Sequence, residues 1–157
     1  HQDLHFSQML KTKDRFYIVD FEGEPGRPEE FRRSLEPAIR DVASMLRGLS
    51  YIAFFALAEA NGLDRHGTLA LLHEGGEQVR LAQEWTRVVC EKLLREYLRN
   101  VNRDLANTTS LSDAFDDIRE WFIERAFYEA YYEADYRPEN VLVALATIVY
   151  EIPKLIE

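Results

Sequence analysis

Three polar side chains near the start of the chain have the types that phosphoryl transfer requires. Asp3 and Gln8 flank a short loop, and Asp20 ends the second of two short apolar stretches. If these two stretches pair as a tight hairpin, Asp20 returns beside Gln8. A carboxylate and an amide oxygen side by side suit Mg²⁺ that carries substrate phosphates, and a nearby acid can accept the proton of an attacking hydroxyl. The alternative is that Asp3 and Asp20 are loop and strand-end residues that bind local backbone N–H groups.

The elements that must position these residues are a hairpin and a set of helices. Residues 8–12 and 15–20 (QMLKT and RFYIVD) are predicted to be strands, and the continuous apolar run FYIV predicts burial of the second strand on both faces. The following EGEPGRP is dense in Gly and Pro and is therefore predicted to be a loop. Pro28 then fits the first turn of a helix.

Apolar residues at helical spacing dominate the rest of the chain, with Ser110 or Ser112 as the cap of the third long helix. The fold class is therefore predicted to be mainly α with a small β-hairpin. We expect one domain, with the catalytic loop and metal-binding hairpin in 1–27 and a helical subdomain in 28–157. The predicted helices cover about 38–60, 74–106, 110–136 and 138–153.

The composition restricts the class of protein. The 157 residues carry a net charge of −9, which argues against a nucleic-acid-binding or anionic-membrane surface. Cys90 is the single cysteine, so an intrachain disulfide is excluded and a reducing, cytoplasmic location is expected. The apolar run YIAFFALAEA is interrupted by Glu59 and is shorter than the roughly 18 residues of a membrane span.

Four segments resemble a known kinase family, in its order and spacing. HQDLHFSQ resembles the His-x-Asp-x-His-x-x-Asn/Gln motif of the aminoglycoside-phosphotransferase-like small-molecule kinases, and IVDFEGEP resembles their metal-binding segment. IRDVASMLR resembles the helix start that follows. More narrowly, DFEGEPGRP with RRSLEPAIRDVASMLRGLSY, and later RAFYEAYYEADYRP, are similar to bacterial maltokinases, including those fused to trehalose synthase.

The resemblance implies roles for individual residues. Asp3 matches the catalytic base, and Gln8 and Asp20 match the ligands of the Mg²⁺ that accompanies ATP. His5 is expected to face the sugar, whereas His1 is expected to fix the loop by hydrogen bonding. Gln2 stands where the family usually has glycine.

Two further positions near this motif are open to more than one interpretation. Glu22 could contact the sugar or a second metal ion, or pair with an arginine nearby. Arg40 and Asp41 start a helix, and we expect them to support the metal loop as a buried pair or a cap.

The acceptor groove is predicted on the last long helix. Tyr128 and Tyr132 are four residues apart, as are Glu129 and Glu133, so each pair shares a helix face. Tyrosine rings beside carboxylates would suit a disaccharide, although the same residues could instead be core tyrosines and solvated acids. We expect Tyr128, Tyr132 and Glu133 to bind substrate and Glu129 to be solvated.

The resemblance implies the C-terminal lobe of a protein-kinase-like fold and ATP-dependent conversion of maltose to maltose 1-phosphate. No glycine-rich phosphate loop or strand-borne lysine precedes HQD, so we expect a fragment that lacks its N-terminal nucleotide-clamping lobe, folds, and is inactive alone. Alternatives are another acceptor such as an aminoglycoside, a non-catalytic module that docks on a trehalose-synthase domain, or a homo-oligomer formed through exposed apolar surface.

Overall fold

The computed structural model describes residues 1–102 and 111–153, with no side-chain description for 111 and 112. It is mainly helical, with one two-stranded hairpin at the start. A short 3₁₀ turn, Phe6–Gln8, precedes the hairpin, and another, Pro138–Asn140, precedes the last helix. The elements are β1 (Met9–Lys11), β2 (Phe16–Ile18), α1 (Glu29–Arg32), α2 (Ile39–Asn61), α3 (Arg65–Glu74), α4 (Glu77–Asn100), α5 (Leu111–Tyr136) and α6 (Val141–Tyr150).

The hairpin is antiparallel and places Met9 opposite Ile18. Its strands are shorter than predicted, and the expected burial of the second strand is wrong, because Phe16 is 61% exposed and Ile18 is 44% exposed. The physical reason is that, among the described residues, the two strands pack mainly against each other and no helix covers both faces of the sheet. A backbone bond from Val19 to the Gln8 carbonyl extends the pairing to the open end of the hairpin.

Helix α2 is the central element of the core and packs against α4, α5 and α6. Ile39, Leu46 and Leu49 lie on its buried stripe, as helical spacing predicts, and Leu94 of α4 and Ile118 of α5 close over that stripe. This packing fixes α2 beside α5. These two helices supply Asp41 and Arg125 of the candidate site.

The predicted helix over 74–106 differs from the structure. It corresponds to α4, which begins at Glu77, and the sequence analysis did not predict α3; Gly75 and Gly76 separate the two helices with φ angles of +76° and +107°. Such backbone angles end a helix and favour glycine. Helix α4 ends at Asn100. Of the two predicted caps, Ser110 lies outside the described residues and Ser112 is the second residue of α5. The predicted helix over 38–60 matches α2 closely, whereas the last predicted helix is a 3₁₀ turn followed by α6.

Helix α2 has the length and apolar composition of a membrane-spanning helix, which the interruption at Glu59 had argued against. However, 61% of its most apolar 18-residue window is buried inside the protein. Packing in the core therefore accounts for its apolar character. Length and composition alone are weak evidence for a membrane span.

Candidate active site

The opening loop is held against the start of α2 by a single carboxylate. Asp41 accepts hydrogen bonds from the backbone nitrogens of His1 and Gln2, each at 2.8 Å. Gln2 has a φ of +62°, a left-handed conformation that favours glycine, the residue that the kinase family usually has there. The His1 ring nitrogen Nε2 lies 2.8 Å from the Val19 carbonyl oxygen and so ties the loop to the hairpin. His1 and Asp41 therefore occupy positions that support the loop.

The loop carries Asp3, whose two carboxylate oxygens have different surroundings. Oδ1 accepts a hydrogen bond from Arg125 Nη2 at 2.8 Å. Oδ2 accepts none from the described residues, and His5 Nε2 lies 4.0 Å away from it. The side chain of Asp3 is only 16% exposed, and it lines a cavity together with His5. Asp3 thus has one anchored oxygen and one that can accept a proton from a molecule in the cavity.

The hairpin brings Gln8 and Asp20 together, as its register predicts. Gln8 Nε2 donates to Asp20 Oδ2 at 2.9 Å and lies 3.3 Å from His5 Nε2. Asp20 is exposed and has a φ of +64°, so the chain turns sharply just after the strand. A carboxylate and an amide therefore stand side by side, next to the residues that line the cavity.

Gln8 and Asp20 fit Mg²⁺ as an open, incomplete ligand pair. Both can offer oxygen atoms, which Mg²⁺ prefers, and the exposed position leaves room for the waters and phosphates that complete its octahedral shell. The described residues contain no cluster of three or more His, Cys, Asp or Glu side chains that could hold a metal ion. Any Mg²⁺ at this pair would therefore depend on ligands from a nucleotide.

A buried carboxylate that the sequence analysis missed lies behind the loop. Glu24 is 1% exposed and accepts hydrogen bonds from Arg27 Nε at 2.8 Å, from Arg40 Nη2 at 3.1 Å and from Arg125. Arg27 also binds Glu124. Glu24 belongs to the EGEPGRP loop, and only the fold brings α2 and α5 to it, so no local pattern could have identified it.

Arg125 binds three carboxylates at once. Its Nη2 binds Asp3, its Nη1 binds Glu24, and its Nε binds Glu129 Oε1 at 2.9 Å. Burial alone would lower the pKa of Arg125, but the surrounding carboxylates, Glu129 first, raise that pKa well above its usual range. Arg125 therefore carries a permanent positive charge. We call Arg125 with Asp3, Glu24 and Glu129 the Arg125 network.

The other polar residues singled out near the motif have different partners. Arg40 pairs with Glu24 and lies 5.0 Å from the Phe31 ring, whereas Asp41 binds the loop backbone, so the two do not pair with each other. Glu22 is exposed and does not line the cavity. Its backbone carbonyl accepts from Arg32, and within the described chain its carboxylate forms no ion pair.

The cavity has a volume of about 500 Å³ and lies between the opening loop, α2 and α5. Its walls are both polar and aromatic, which suits a ligand with hydroxyl groups and apolar ring faces. Gly48 on α2 leaves room for Phe6, because an added Cβ would lie 3.2 Å from that ring. Lining residues include Asp3, His5, Phe6, Ser44, Gly48, Tyr51, Arg125, Tyr128, Glu129, Tyr132, Glu133, Arg137 and Asn140.

The tyrosines of α5 form a ladder along this cavity. Tyr132 stacks on Tyr128 with 6.1 Å between ring centroids and on Tyr136 with 4.7 Å. The Tyr128 hydroxyl accepts a hydrogen bond from Gly26 N at 3.2 Å, and the Arg27 guanidinium lies 4.3 Å from its ring centroid. Tyr128 and Tyr132, which are expected to bind substrate, thus line the cavity. Both rings also contact neighbouring side chains.

Glu129 and Glu133 of α5 are more buried than solvated acids. Glu133 is 3% exposed and accepts from Arg137 Nη2 at 2.7 Å. The expectation that Glu129 is solvated is wrong, because its side chain is 14% exposed and pairs with both Arg125 and Arg47. Glu133 Oε2 is buried without a hydrogen-bond partner, whereas the buried Glu129 Oε2 lies 3.0 Å from Arg47 Nε. Burial raises the pKa of Glu133 despite the nearby Arg137.

Part of the chain is similar to two curated glucosamine kinases. It is 41% identical over 56 residues to that of Mycolicibacterium smegmatis, a match that covers 36% of this chain and 14% of that protein. It is 36% identical over 52 residues to that of Streptacidiphilus jiangxiensis, which covers 33% of this chain and 12% of that protein. No family model matches. The matched segment is thus a small part of each of these two sugar kinases.

Proposed function

We propose that the protein carrying this chain is an ATP-dependent sugar kinase, and that the chain forms the acceptor side of its active site. The observation that carries this proposal is the position of Asp3 at a polar and aromatic cavity, with one oxygen held by Arg125 and the other free. The partial similarity to two glucosamine kinases supports the same class of reaction. We further propose that the helical body with its hairpin is the C-terminal lobe of an aminoglycoside-phosphotransferase-like fold.

In the proposed reaction, Asp3 Oδ2 accepts the proton of a sugar hydroxyl as that hydroxyl attacks the γ-phosphorus of ATP. ADP is the leaving group. Gln8 and Asp20 would hold Mg²⁺, which neutralises charge on the nucleotide phosphates. His5, close to both Asp3 and Gln8, lies where the acceptor and the nucleotide would meet.

The acceptor is proposed to be maltose, with maltose 1-phosphate as the product. The maltokinase-like segments support this choice, as does a cavity that offers both aromatic side chains and carboxylates. Glu133 Oε2 lacks a hydrogen-bond donor, and a sugar hydroxyl could supply one. An ammonium group would also suit this buried carboxylate oxygen, so glucosamine is the second candidate.

The test is an acceptor panel. The protein at its full natural length is incubated with ATP, Mg²⁺ and either maltose, glucose, glucosamine or kanamycin, and ADP release is measured by a coupled assay. We expect the highest kcat/KM with maltose. Preferential turnover of glucosamine would keep the kinase assignment and change the acceptor. Turnover of kanamycin alone, or of no acceptor, would contradict the proposal.

A further inference from the structure

The two oxygens of Asp3 are distinguished by one contact. Arg125 Nη2 binds Oδ1 at 2.8 Å, whereas Oδ2 accepts no hydrogen bond within the described part of the chain. A carboxylate held at one oxygen cannot rotate freely. The direction of Oδ2 is therefore set by the position of the Arg125 guanidinium.

The guanidinium itself is fixed by two other carboxylates. Glu24 binds Nη1 and Glu129 binds Nε, so all three nitrogens of Arg125 are used. The group is planar and rigid, and fixing two of its nitrogens fixes the third. Glu129 lies on the same helix as Arg125, four residues further on, and holds it only relative to α5. Glu24 comes from the loop after the hairpin and joins that helix to the rest of the site.

Glu24 is also held from three directions. Its Oε1 is bound by Arg125, and its Oε2 by both Arg27 and Arg40. Arg40 immediately precedes Asp41 on α2, and Asp41 binds the backbone of the loop that carries Asp3. At 1% exposure, Glu24 cannot itself reach a ligand in the cavity. Glu24 nevertheless connects α2, through Arg40, with α5, through Arg125, and both helices contact the loop that carries Asp3.

We propose that Glu24 is a positioning residue, which acts through Arg125 to hold Asp3 Oδ2 towards the acceptor hydroxyl. This inference rests on the proposed kinase function, with Asp3 as the base. Glu24 does not touch the acceptor. Its loss should therefore slow the transfer step and leave acceptor binding nearly intact, because misplacing a catalytic group by about 1 Å can cost about a hundredfold in rate.

The test compares Glu24→Gln with Glu124→Gln in the protein at its full natural length. Both substitutions remove a carboxylate that binds Arg27, but only Glu24 also binds Arg125. We expect Glu24→Gln to lower kcat by about 10- to 100-fold with the acceptor KM within about threefold of wild type. Glu124→Gln should keep kcat near wild type, and Glu24→Asp should recover part of the lost kcat.

Equal kcat values for Glu24→Gln and wild type would overturn the inference and leave the kinase function standing. Parallel losses in both Gln variants, or a rise in KM without a fall in kcat, would also overturn it. If the wild-type protein phosphorylates no sugar, the proposed function fails first and this inference fails with it. If Glu24→Gln does not fold, as judged by circular dichroism, Arg125→Lys is used instead. That variant keeps the charge but loses the planar fork, so an unchanged kcat in it overturns the inference.

Discussion

Arg47 and Glu129 form a buried ion pair whose two members should respond differently to substitution. Arg47 Nε lies 3.0 Å from Glu129 Oε2, and the Arg47 side chain is 0% exposed. In the described part of the chain, Glu129 is the only carboxylate that pairs with Arg47. Glu129 has a second partner, Arg125, at 2.9 Å. Glu129→Gln therefore leaves a buried charge unpaired, whereas Arg47→Met does not.

The expected magnitudes follow from this asymmetry. An orphaned buried charge costs about 3–5 kcal/mol, so Glu129→Gln should lower the free energy of unfolding by about that amount. For a domain of this size, the loss corresponds to a fall in Tm of roughly 6–20 °C. Arg47→Met removes a buried guanidinium whose three nitrogens all lack hydrogen-bond partners, although Nε forms the ion pair with Glu129. Its cost should be about 1 kcal/mol or less.

The assay is urea unfolding of the purified chain, followed by circular dichroism at constant pH and salt. The midpoint should shift strongly for Glu129→Gln and little for Arg47→Met, with the same m value in both. Glu84→Gln is the control, because Glu84 and Arg87 form an exposed pair on α4 whose loss should leave the midpoint unchanged. If Arg47→Met destabilises as much as Glu129→Gln, an orphaned charge is not the cause and the reasoning is refuted.

The remaining predictions concern Glu133, Cys90 and Gly26. Burial raises the pKa of Glu133 more than Arg137 lowers it, so as pH rises above about 4.5 the unfolded chain loses this proton first and stability falls. In urea titrations between about pH 4 and 8, the free energy of unfolding of Glu133→Gln should fall less with rising pH than that of the wild type. Parallel pH profiles for the two proteins would refute this prediction. Burial raises the pKa of the Cys90 thiol to about 12, so a thiol reagent at about pH 8 should label the native chain much more slowly than the urea-unfolded chain. Equal rates would contradict this. A Cβ on Gly26 would lie 2.9 Å from the Tyr128 hydroxyl, so Gly26→Ala should lower Tm, and an unchanged Tm would show that this contact is easily relieved.

Local sequence patterns predicted helix α2 and the hairpin, because both are determined by residues close together in the sequence. The apolar stripe of α2 predicted its ends to within about a residue, because a helix interior requires the same spacing wherever it packs. The hairpin register likewise predicted the approach of Gln8 and Asp20. The exposed strand was missed, since an apolar run does not reveal whether another element covers it.

The Arg125 network could not be read from local patterns. Glu24 and Arg125 are 101 positions apart, and only the packing of α5 against α2 brings them together. Glu129 was expected in solvent because acids on a helix usually are, whereas here the buried Arg47 and Arg125 take both of its oxygens. A buried ion network depends on tertiary partners, so its members look like ordinary surface charges in the sequence.

Asp3→Asn is the sharpest test of Asp3 as the base of a sugar kinase. In the protein at its full natural length, with ATP, Mg²⁺ and the preferred sugar, we expect this variant to lower kcat by about 10²- to 10⁴-fold. The acceptor KM should change little, because the base acts on the moving proton and contributes little to ground-state binding. If Asp3→Asn turns over sugar at a near wild-type rate, Asp3 is not the base.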